Sequence, residues 1–186
     1  MVRSIVPVVL ITTLVACASS RGPAEPPSPA SPQAPAPSVQ SAPWQAPMLR
    51  AADVPSVYLS GWRKAENRET CALIAPVKVM VGATARAATF SGGWAVAYDT
   101  PSQRSAFGVA GSGSNASDPA YDAWPHHITW ADGSSAGYGP EGGTGPNQLA
   151  YLRIAGQGCL YNVWSRLGVA HLETLLDDLR FVRLEN

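Results

Sequence analysis

Three histidines are the first residues in this chain that could support catalysis. His126 and His127 are adjacent, and with His171, Asp122 or Asp132 they could form a metal site. Adjacent side chains on a strand point to opposite faces, however, so His126 and His127 cannot hold one ion together. No HExxH segment, cysteine cluster or calcium-binding loop accompanies them. We therefore predict no catalytic residue, no metal and no cofactor. A hydrolase or metal-dependent enzyme that uses these histidines is an alternative hypothesis.

A glycine-rich segment offers a second motif. Gly137, Gly139 and Gly142 in GYGPEGG have the G-x-G-x-x-G spacing that is typical of a dinucleotide-binding turn. That turn needs a helix directly after the glycines, so that the helix N-terminus faces the pyrophosphate. Pro140 and Pro146 stand there instead, together with further glycines. We therefore expect a long flexible loop and no nucleotide site.

Aromatic residues near polar, turn-like sequence suggest a binding surface. Trp62, Trp124, Tyr121 and Tyr138 could form an exposed platform beside the glycine-rich segment. Such a platform could stack on a glycan or dock against another protein. Packing beneath loops is the alternative for these residues. Three other tryptophans lie in apolar segments and are predicted core residues: Trp94, Trp130 and Trp164.

The elements that position these residues begin after an unusual N-terminal segment. Arg3 gives the chain a short positive end, and an apolar run follows it up to Ala16. This layout is typical of a secretory signal peptide, which we place at residues 1–16. A membrane-spanning helix needs about 20 apolar residues, and this run is shorter. We therefore expect the segment to be cleaved.

The end of the apolar run resembles the lipobox of bacterial lipoproteins, since it reads Leu14, Val15, Ala16, Cys17. The resemblance implies that Cys17 carries diacylglycerol and becomes the acylated N-terminus of the mature chain, which two or more acyl chains would hold stably at a membrane. Ala18 stands where that class places Asp for retention in the inner membrane. The resemblance therefore implies a lipid anchor in the outer membrane of a Gram-negative cell, facing the periplasm.

Proline, alanine and serine dominate the next segment. Residues 22–47 contain nine of the 17 prolines and a single aromatic residue, Trp44. A segment with so little apolar surface to bury cannot offset the entropy of ordering. We assign residues 17–48 to the lipidated cysteine and a disordered tether, and residues 49–186 to a single globular domain.

If Cys17 carries lipid, two cysteines remain. Cys71 and Cys159 would then lie in a compartment where disulfides persist. Neither has a CxxC partner or a neighbouring histidine that would indicate a reactive thiol. We therefore predict a Cys71–Cys159 disulfide.

Short strand-like runs fill most of the domain. They are separated by turn residues, without helices between them, which favours an antiparallel sheet. The predicted strands cover residues 86–90, 94–98, 105–110, 127–131, 148–155 and 159–164. Leucines spaced by three and four in HLETLLDDLR predict an amphipathic C-terminal helix on one face of the sheet, and FVRL could return as an edge strand. A short helix is predicted within residues 57–70.

The sequence thus predicts an α+β domain on a lipid anchor. Its 13 basic residues balance its 13 acidic residues, so no nucleic-acid partner is expected. Because no catalytic constellation is found, we favour a non-catalytic binding or structural role, with the membrane as one partner and an envelope protein or a glycan as the other. The third hypothesis is a lipoprotein chaperone or assembly factor, which would expose an apolar groove between helix and sheet.

Overall fold

A computed structural model describes residues 40–90, 92–115, 124–143 and 145–184. Cys17, the predicted signal peptide and most of the predicted tether lie outside these residues, as do Tyr121 and Asp122. The described part mixes α and β structure and consists mostly of antiparallel sheet. None of its helices is long and apolar enough to cross a membrane.

Ten strands and two α-helices make up the described part of the chain. In order they are β1 (Leu49–Arg50), α1 (Ser56–Lys64), β2 (Ile74–Pro76), β3 (Thr84–Ala88), β4 (Trp94–Thr100), β5 (Gln103–Asn115), β6 (His126–Thr129), β7 (Ser135–Pro140), β8 (Gln148–Arg153), β9 (Cys159–Ser165), α2 (Val169–Asp178) and β10 (Leu179–Arg183). All six predicted strand runs overlap observed strands.

The strands form two sheets. A seven-stranded sheet has the order β3-β4-β5-β9-β8-β7-β6, and every neighbouring pair in it is antiparallel. A three-stranded sheet has the order β1-β10-β2, in which β10 runs parallel to β1 and antiparallel to β2. Strand β7 of the large sheet carries Tyr138 and the first part of the glycine-rich segment, whereas Trp62 lies on α1.

The large sheet has two different faces because side chains alternate along its strands. On the inner face, β4 and β5 carry large side chains such as Trp94, Tyr98 and Phe107, which belong to the buried core. Helix α1 contacts β3 and β4, and α2 contacts β8 and β9. The outer face of β4 and β5 carries small residues at Ala95, Ala97, Gly108 and Ala110.

The leucine-spaced segment near the C-terminus forms α2, and Leu172, Leu175 and Leu176 are buried. The chain then passes directly into β10, so this helix is not the last element. The prediction that FVRL returns as an edge strand is wrong, because β10 lies between β1 and β2. Its Leu179 and Val182 are buried, which suits a central strand.

The glycine-rich motif was also predicted wrongly. Residues 135–140 are not loop but strand β7, which pairs with β6 on one side and β8 on the other. Gly139 is required there because a Cβ on it would lie 2.9 Å from Cε3 of Trp124 and 2.6 Å from Cγ of Pro125. Gly139 therefore serves close packing on a sheet face, whereas a Cβ on Gly142 would meet nothing within 4 Å.

The boundary between tether and domain lies earlier than residue 49. Ala42, Pro43 and Trp44 are buried, with only 4% of Trp44 exposed. The Trp44 ring packs edge-on against Trp130 with 4.9 Å between ring centroids. Residues 40–48 are thus part of the folded unit, because one large aromatic ring supplies apolar burial that the surrounding composition lacks.

The disulfide prediction is confirmed. Cys71 and Cys159 are bonded, with their Cα atoms 5.2 Å apart, and both are buried. The bond joins the start of β9 to the segment between α1 and β2. It therefore fastens the large sheet to the elements that cover its inner face.

Candidate functional site

A groove of about 410 Å³ lies on the outer face of the large sheet. We call it the outer groove. Residues from β3, β4, β8 and β9 line it: Ala88, Ala95, Ala97, Leu149, Tyr151, Asn162 and Trp164. Phe90, Ser105, Glu141 and Arg166 also border it.

The outer groove exists because neighbouring strands differ in side-chain size. Ala88 pairs with Ala95, and Ala97 pairs with Gly108. At these positions the side chains of β3, β4 and β5 therefore extend little beyond the backbone. On the next two strands, Trp164 pairs with Leu149 and Asn162 with Tyr151. This step from small to large side chains leaves a trough across the sheet.

Trp164 forms one wall, and its position depends on Gly108. A Cβ at Gly108 would lie 2.2 Å from Cζ2 of Trp164 and 2.5 Å from the carbonyl oxygen of Val96. The indole therefore packs directly on the backbone of β5, where any side chain would displace it. Since Trp164 remains partly exposed, its ring is available to a ligand in the outer groove.

Asn162 is the most informative residue of the outer groove. Only 6% of it is exposed, and its Oδ1 has no hydrogen-bond partner within the described residues. A buried polar atom that is left without a partner costs about 1–3 kcal/mol. Native proteins pair nearly all such atoms, so an exception calls for an explanation. The oxygen itself has almost no accessible surface, so a molecule in the outer groove does not reach it.

A hydrogen-bonded cluster fixes the β4–β5 end of the outer groove. Asp99 accepts hydrogen bonds from the backbone N–H of Ser105 at 2.7 Å and from Nε of Arg86 at 2.9 Å. Arg86 also donates from Nη2 to the Ser105 hydroxyl. The Ser105 backbone N–H, and then Arg86, lower the pKa of Asp99. These bonds hold Ser105 at φ 51°, a backbone conformation that non-glycine residues rarely adopt.

The predicted aromatic platform is not one surface. Trp62 lies against the core and donates its indole N–H to the carbonyl of Cys71 at 2.9 Å. Tyr138 is on the inner face, where its hydroxyl donates to Glu173 of α2 at 2.7 Å. Only Trp124 approaches the outer groove, since its ring packs on Tyr151 with centroids 5.6 Å apart. Tyr121 lies outside the described residues.

Tyr138 and Glu173 together form a partly buried polar contact at the inner face. Burial, followed by the hydrogen bond to Glu173, raises the pKa of Tyr138 to about 12. The phenol is therefore a neutral donor at physiological pH. It supports the packing of α2 and plays no part in the outer groove.

The histidines are dispersed. His126 stacks on Tyr138 with ring centroids 5.1 Å apart, and the adjacent His127 points to the other face of β6. On α2, His171 contacts the hydroxyl of Ser165 through Nδ1 at 3.0 Å, and burial lowers its pKa. Ser165 is fully buried, so a substrate cannot reach its hydroxyl. Within the described ranges, no three His, Cys, Asp or Glu side chains are grouped as metal ligands.

A second concave region of about 350 Å³ lies between α2 and the loop of residues 77–82. Val79, Met80, Phe107 and Leu175 give it an apolar lining, and His171 borders it. We call it the helix groove. Val81, in the same loop, is 98% exposed. Lys78, Thr174 and Asp178 also line the helix groove, so its lining is mixed and lies between a helix and a loop.

Asn162 and Trp164 carry a weak signal in the sequence that chemical motifs do not contain. On β9, Tyr161 and Val163 lie on the inner face and are buried in the core. Asn162 and Trp164 alternate with them and lie on the outer face. An amide at a buried strand position is unusual. That alternation could have indicated a polar feature on the second face of an otherwise apolar strand.

Comparisons with protein-family models, with curated proteins and with solved structures found no match. The chemistry of the outer groove therefore has to be derived from its own residues. Amide, indole and phenol side chains, set among alanines, bind ligands by hydrogen bonding and stacking.

Proposed function

We propose that this protein is a lipid-anchored cell-envelope lipoprotein whose domain binds a ligand in the outer groove without transforming it. In this proposal Cys17 holds the chain at the outer membrane, and α2 acts as the amphipathic helix that covers the inner face of the sheet. The observation that carries the binding role is the outer groove itself, in which the partly exposed Trp164 ring, held on Gly108, and the Asn162 amide lie among alanines.

The side chains of the outer groove favour binding over catalysis. Asn162, Trp164 and Tyr151 line its interior and do not exchange protons readily near neutral pH. Of the charged groups, Glu141 and Arg166 are exposed at its border, and Arg86 and Asp99 at its β4–β5 end are paired with each other. Groups arranged in this way orient a ligand but supply no buried general base or nucleophile.

Replacing Asn162 tests the binding role without knowledge of the ligand. If the amide is kept for a ligand, Asn162→Leu should raise the free energy of unfolding by about 1–2 kcal/mol, because an unsatisfied polar group is replaced by an apolar one of similar size. Urea unfolding of the purified full chain measures this change. Ser134→Ala is the control and should destabilise, since the buried Ser134 hydroxyl accepts a hydrogen bond from Ala155 N at 2.8 Å. A loss of stability in Asn162→Leu comparable to that control would assign Asn162 a structural role.

The anchor rests on the residues before Cys17, and the disulfide supports it because such bonds persist in oxidising compartments. Mass spectrometry of protein from membranes should find Cys17 N-terminal and acylated, and Cys17→Ser should leave the membrane fraction. Ala18→Asp is a matched variant that keeps the cysteine, and it should move the protein from the outer to the inner membrane. An unmodified Cys17 behind an intact initiator methionine would refute the anchor.

A second candidate function, an assembly factor that holds an apolar segment of another envelope protein, is favoured by the helix groove. Val79 lines this groove, whereas Val81 is exposed outside it. Light scattering of an aggregating client protein would then be suppressed by the full chain and by Val81→Asp, but much less by Val79→Asp. Equal activity of the two variants, or no suppression by the native chain, would dismiss this candidate.

A further inference from the structure

We propose that the loop of residues 77–82 inserts into the surface of the lipid bilayer to which Cys17 is anchored. In this arrangement Val77, Met80 and Val81 enter the boundary between headgroups and acyl chains, and Lys78 lies among the headgroups. The domain then has a fixed orientation on the membrane. The inference rests on the lipid anchor proposed above and adds a second membrane contact to it.

The loop of residues 77–82 exposes an unusual amount of apolar surface. Four of its six side chains are apolar and between 37% and 98% exposed: Val77, Val79, Met80 and Val81. Single exposed apolar residues are common on protein surfaces and need no explanation. A group of them in one loop is typical of an interaction site.

The backbone of the loop holds its tip outward. The N–H of Ala83 donates to the carbonyl of Met80 at 3.0 Å, so residues 80–83 form a β-turn. Gly82 has φ 81°, the value that a type II turn requires at its third residue. Val81 is therefore the second residue of this turn. Turn positions usually carry glycine, proline or short polar residues, so a valine at the tip is not explained by the turn itself.

The last turn of α2 holds both the base of the loop and the point where the predicted tether enters the domain. Asp178 accepts hydrogen bonds from the backbone N–H groups of Val77 at 3.0 Å and of Lys78 at 2.8 Å. Its neighbour Asp177 accepts one from Nε2 of Gln40, the first described residue, at 3.5 Å. The loop is thus fastened beside the end of the segment that leads back to Cys17.

The size of this apolar surface favours a bilayer over a protein partner. A standard protein interface buries about 800 Å² on each partner, which four small side chains do not supply. A bilayer accepts an apolar loop of any size, and binding grows with the buried apolar area and with the attraction of cations to anionic lipids. Lys78 is the one charged residue of the loop, and its long side chain can place the ammonium group among the headgroups.

The tether makes a weak contact sufficient. Residues 18–39 join Cys17 to Gln40, and a polyproline path of about 3.1 Å per residue would span about 70 Å. An acylated Cys17 therefore keeps the loop near the bilayer. Tethered contacts form at effective concentrations on the order of millimolar, so an affinity that is negligible for a free loop is enough to orient the domain.

The test follows a fluorescent label at the tip of the loop. Val81→Cys supplies a free thiol, because Cys17 is acylated in the lipidated protein and Cys71 is bonded to Cys159. The full lipidated chain is labelled with an environment-sensitive fluorophore and reconstituted into vesicles of phosphatidylethanolamine and phosphatidylglycerol, with or without bromine on the acyl chains. Since interfacial segments enter the bilayer by about 5–10 Å, brominated lipid should quench about half of the emission or more.

Two aspartate variants of the labelled chain test whether the apolar surface causes insertion. Met80→Asp should remove most of the quenching, since a charge is costly in apolar surroundings. Met48→Asp is the matched control, because Met48 is 51% exposed and Met80 44%, but Met48 lies beside β1 and outside the loop. It should leave the quenching unchanged.

A label at Glu66→Cys controls for random contact with the bilayer. The loop packs beside Pro101 in the β4–β5 turn, where a Cβ on Gly82 would lie 3.9 Å from Cγ of Pro101. Glu66 is exposed, and its neighbour Asn67 donates to the carbonyl of Gly111 at 3.1 Å, at the other end of the β4–β5 hairpin. This second label should not be quenched.

Flotation of the vesicles separates the inference from the anchor. Protein that does not float with them would refute the anchor, and the inference with it. Floating protein with an unquenched Val81 label, or with equal quenching of both labels, would overturn insertion and leave the anchor intact. A Val81 label whose emission shifts to the blue without quenching would overturn insertion in favour of a protein partner or a second copy of this chain.

Discussion

Trp44 donates its indole N–H to a carboxylate oxygen of Asp132 at 2.8 Å, although 88 residues separate them in the chain. The same ring packs against Trp130, and the backbone N–H of Ala131 donates to the carbonyl of Gln40 at 2.9 Å. These contacts fix the first described residues to the β6–β7 hairpin. The ring of Trp44 and its indole N–H thus help to hold a segment rich in proline and alanine against this hairpin.

Trp44→Phe keeps an aromatic ring but removes the indole donor, and we expect it to lower the free energy of unfolding by about 1.5 kcal/mol at neutral pH. Hydrogen bonds to charged groups contribute roughly 1.5–3 kcal/mol, and partial exposure of Asp132 places the effect at the lower end. Urea unfolding of the native and variant chains measures it. Gln45→Ala, an exposed neighbour, should change stability little.

Acid titration provides a second readout for Trp44→Phe. Burial raises the pKa of Asp132, but hydrogen bonds from Ser134 and Trp44 outweigh it and the net pKa is lowered. A lowered carboxyl pKa stabilises the fold above the usual value of 3.8, and this stabilisation is lost as the pH falls through the folded-state pKa. The stability difference between native and variant chains should therefore shrink below pH 3.8. A stability difference that stays constant across this pH range would show that it does not arise from the ionised Asp132.

Local patterns explain why much of the sheet could be predicted. The runs at β4, β5 and β9 combine apolar and aromatic residues between clear turn signals, and their strand character follows from that composition. The strand β7 was missed because its glycines have low strand propensity. Gly139 is favoured there by its close contacts with Trp124 and Pro125, which only the folded structure shows.

The candidate site was harder to predict from the sequence, because its residues also come together only in the folded structure. A chemical motif is recognisable when its residues are close in the chain, whereas Tyr151 and Asn162 become neighbours only through strand pairing. The size difference between β5 and β9 likewise depends on register, because Gly108 must lie opposite Trp164. The disulfide could be predicted since only two cysteines remained to pair.

Loss of the Cys71–Cys159 bond should destabilise the protein strongly. The bond links residues 88 apart, and the chain-entropy model gives about 4–5 kcal/mol for a loop of this size. The double variant Cys71→Ala, Cys159→Ala avoids burying a hydroxyl group in place of sulfur. Guanidinium unfolding should show this loss, whereas Cys17→Ser should unfold like the native chain. A loss under about 1 kcal/mol would mean that the reduced, unfolded chain is already compact.

Tyr138 should titrate well above free tyrosine because of its burial and, to a smaller extent, because of Glu173. The near-ultraviolet absorbance of phenolate should reveal a group with a pKa of about 12 that disappears in Tyr138→Phe. Burial is the larger cause of the shift, so Glu173→Gln should lower this pKa only part of the way toward 10.0. A raised tyrosine pKa stabilises the fold below pH 10.0, and this contribution is lost as the pH rises toward 12. An unchanged pKa in Glu173→Gln would show that burial alone causes the shift.

Two glycine substitutions separate the effect of a steric clash at the outer groove from the effect of a strained backbone conformation elsewhere. Gly108→Ala places a methyl group 2.2 Å from Trp164, so we expect a loss of about 1–3 kcal/mol and a changed tryptophan emission as the indole moves. Gly156→Ala has nothing within 4 Å but keeps φ at +80°, which costs about 1–2 kcal/mol for a residue with a side chain. Denaturant unfolding should therefore find both variants less stable, while only Gly108→Ala alters Trp164 fluorescence. Because the backbone of β5 cannot retreat from the clash without breaking its pairs with β4 and β9, an unperturbed Trp164 in Gly108→Ala would mean that the indole does not rest on Gly108 in solution.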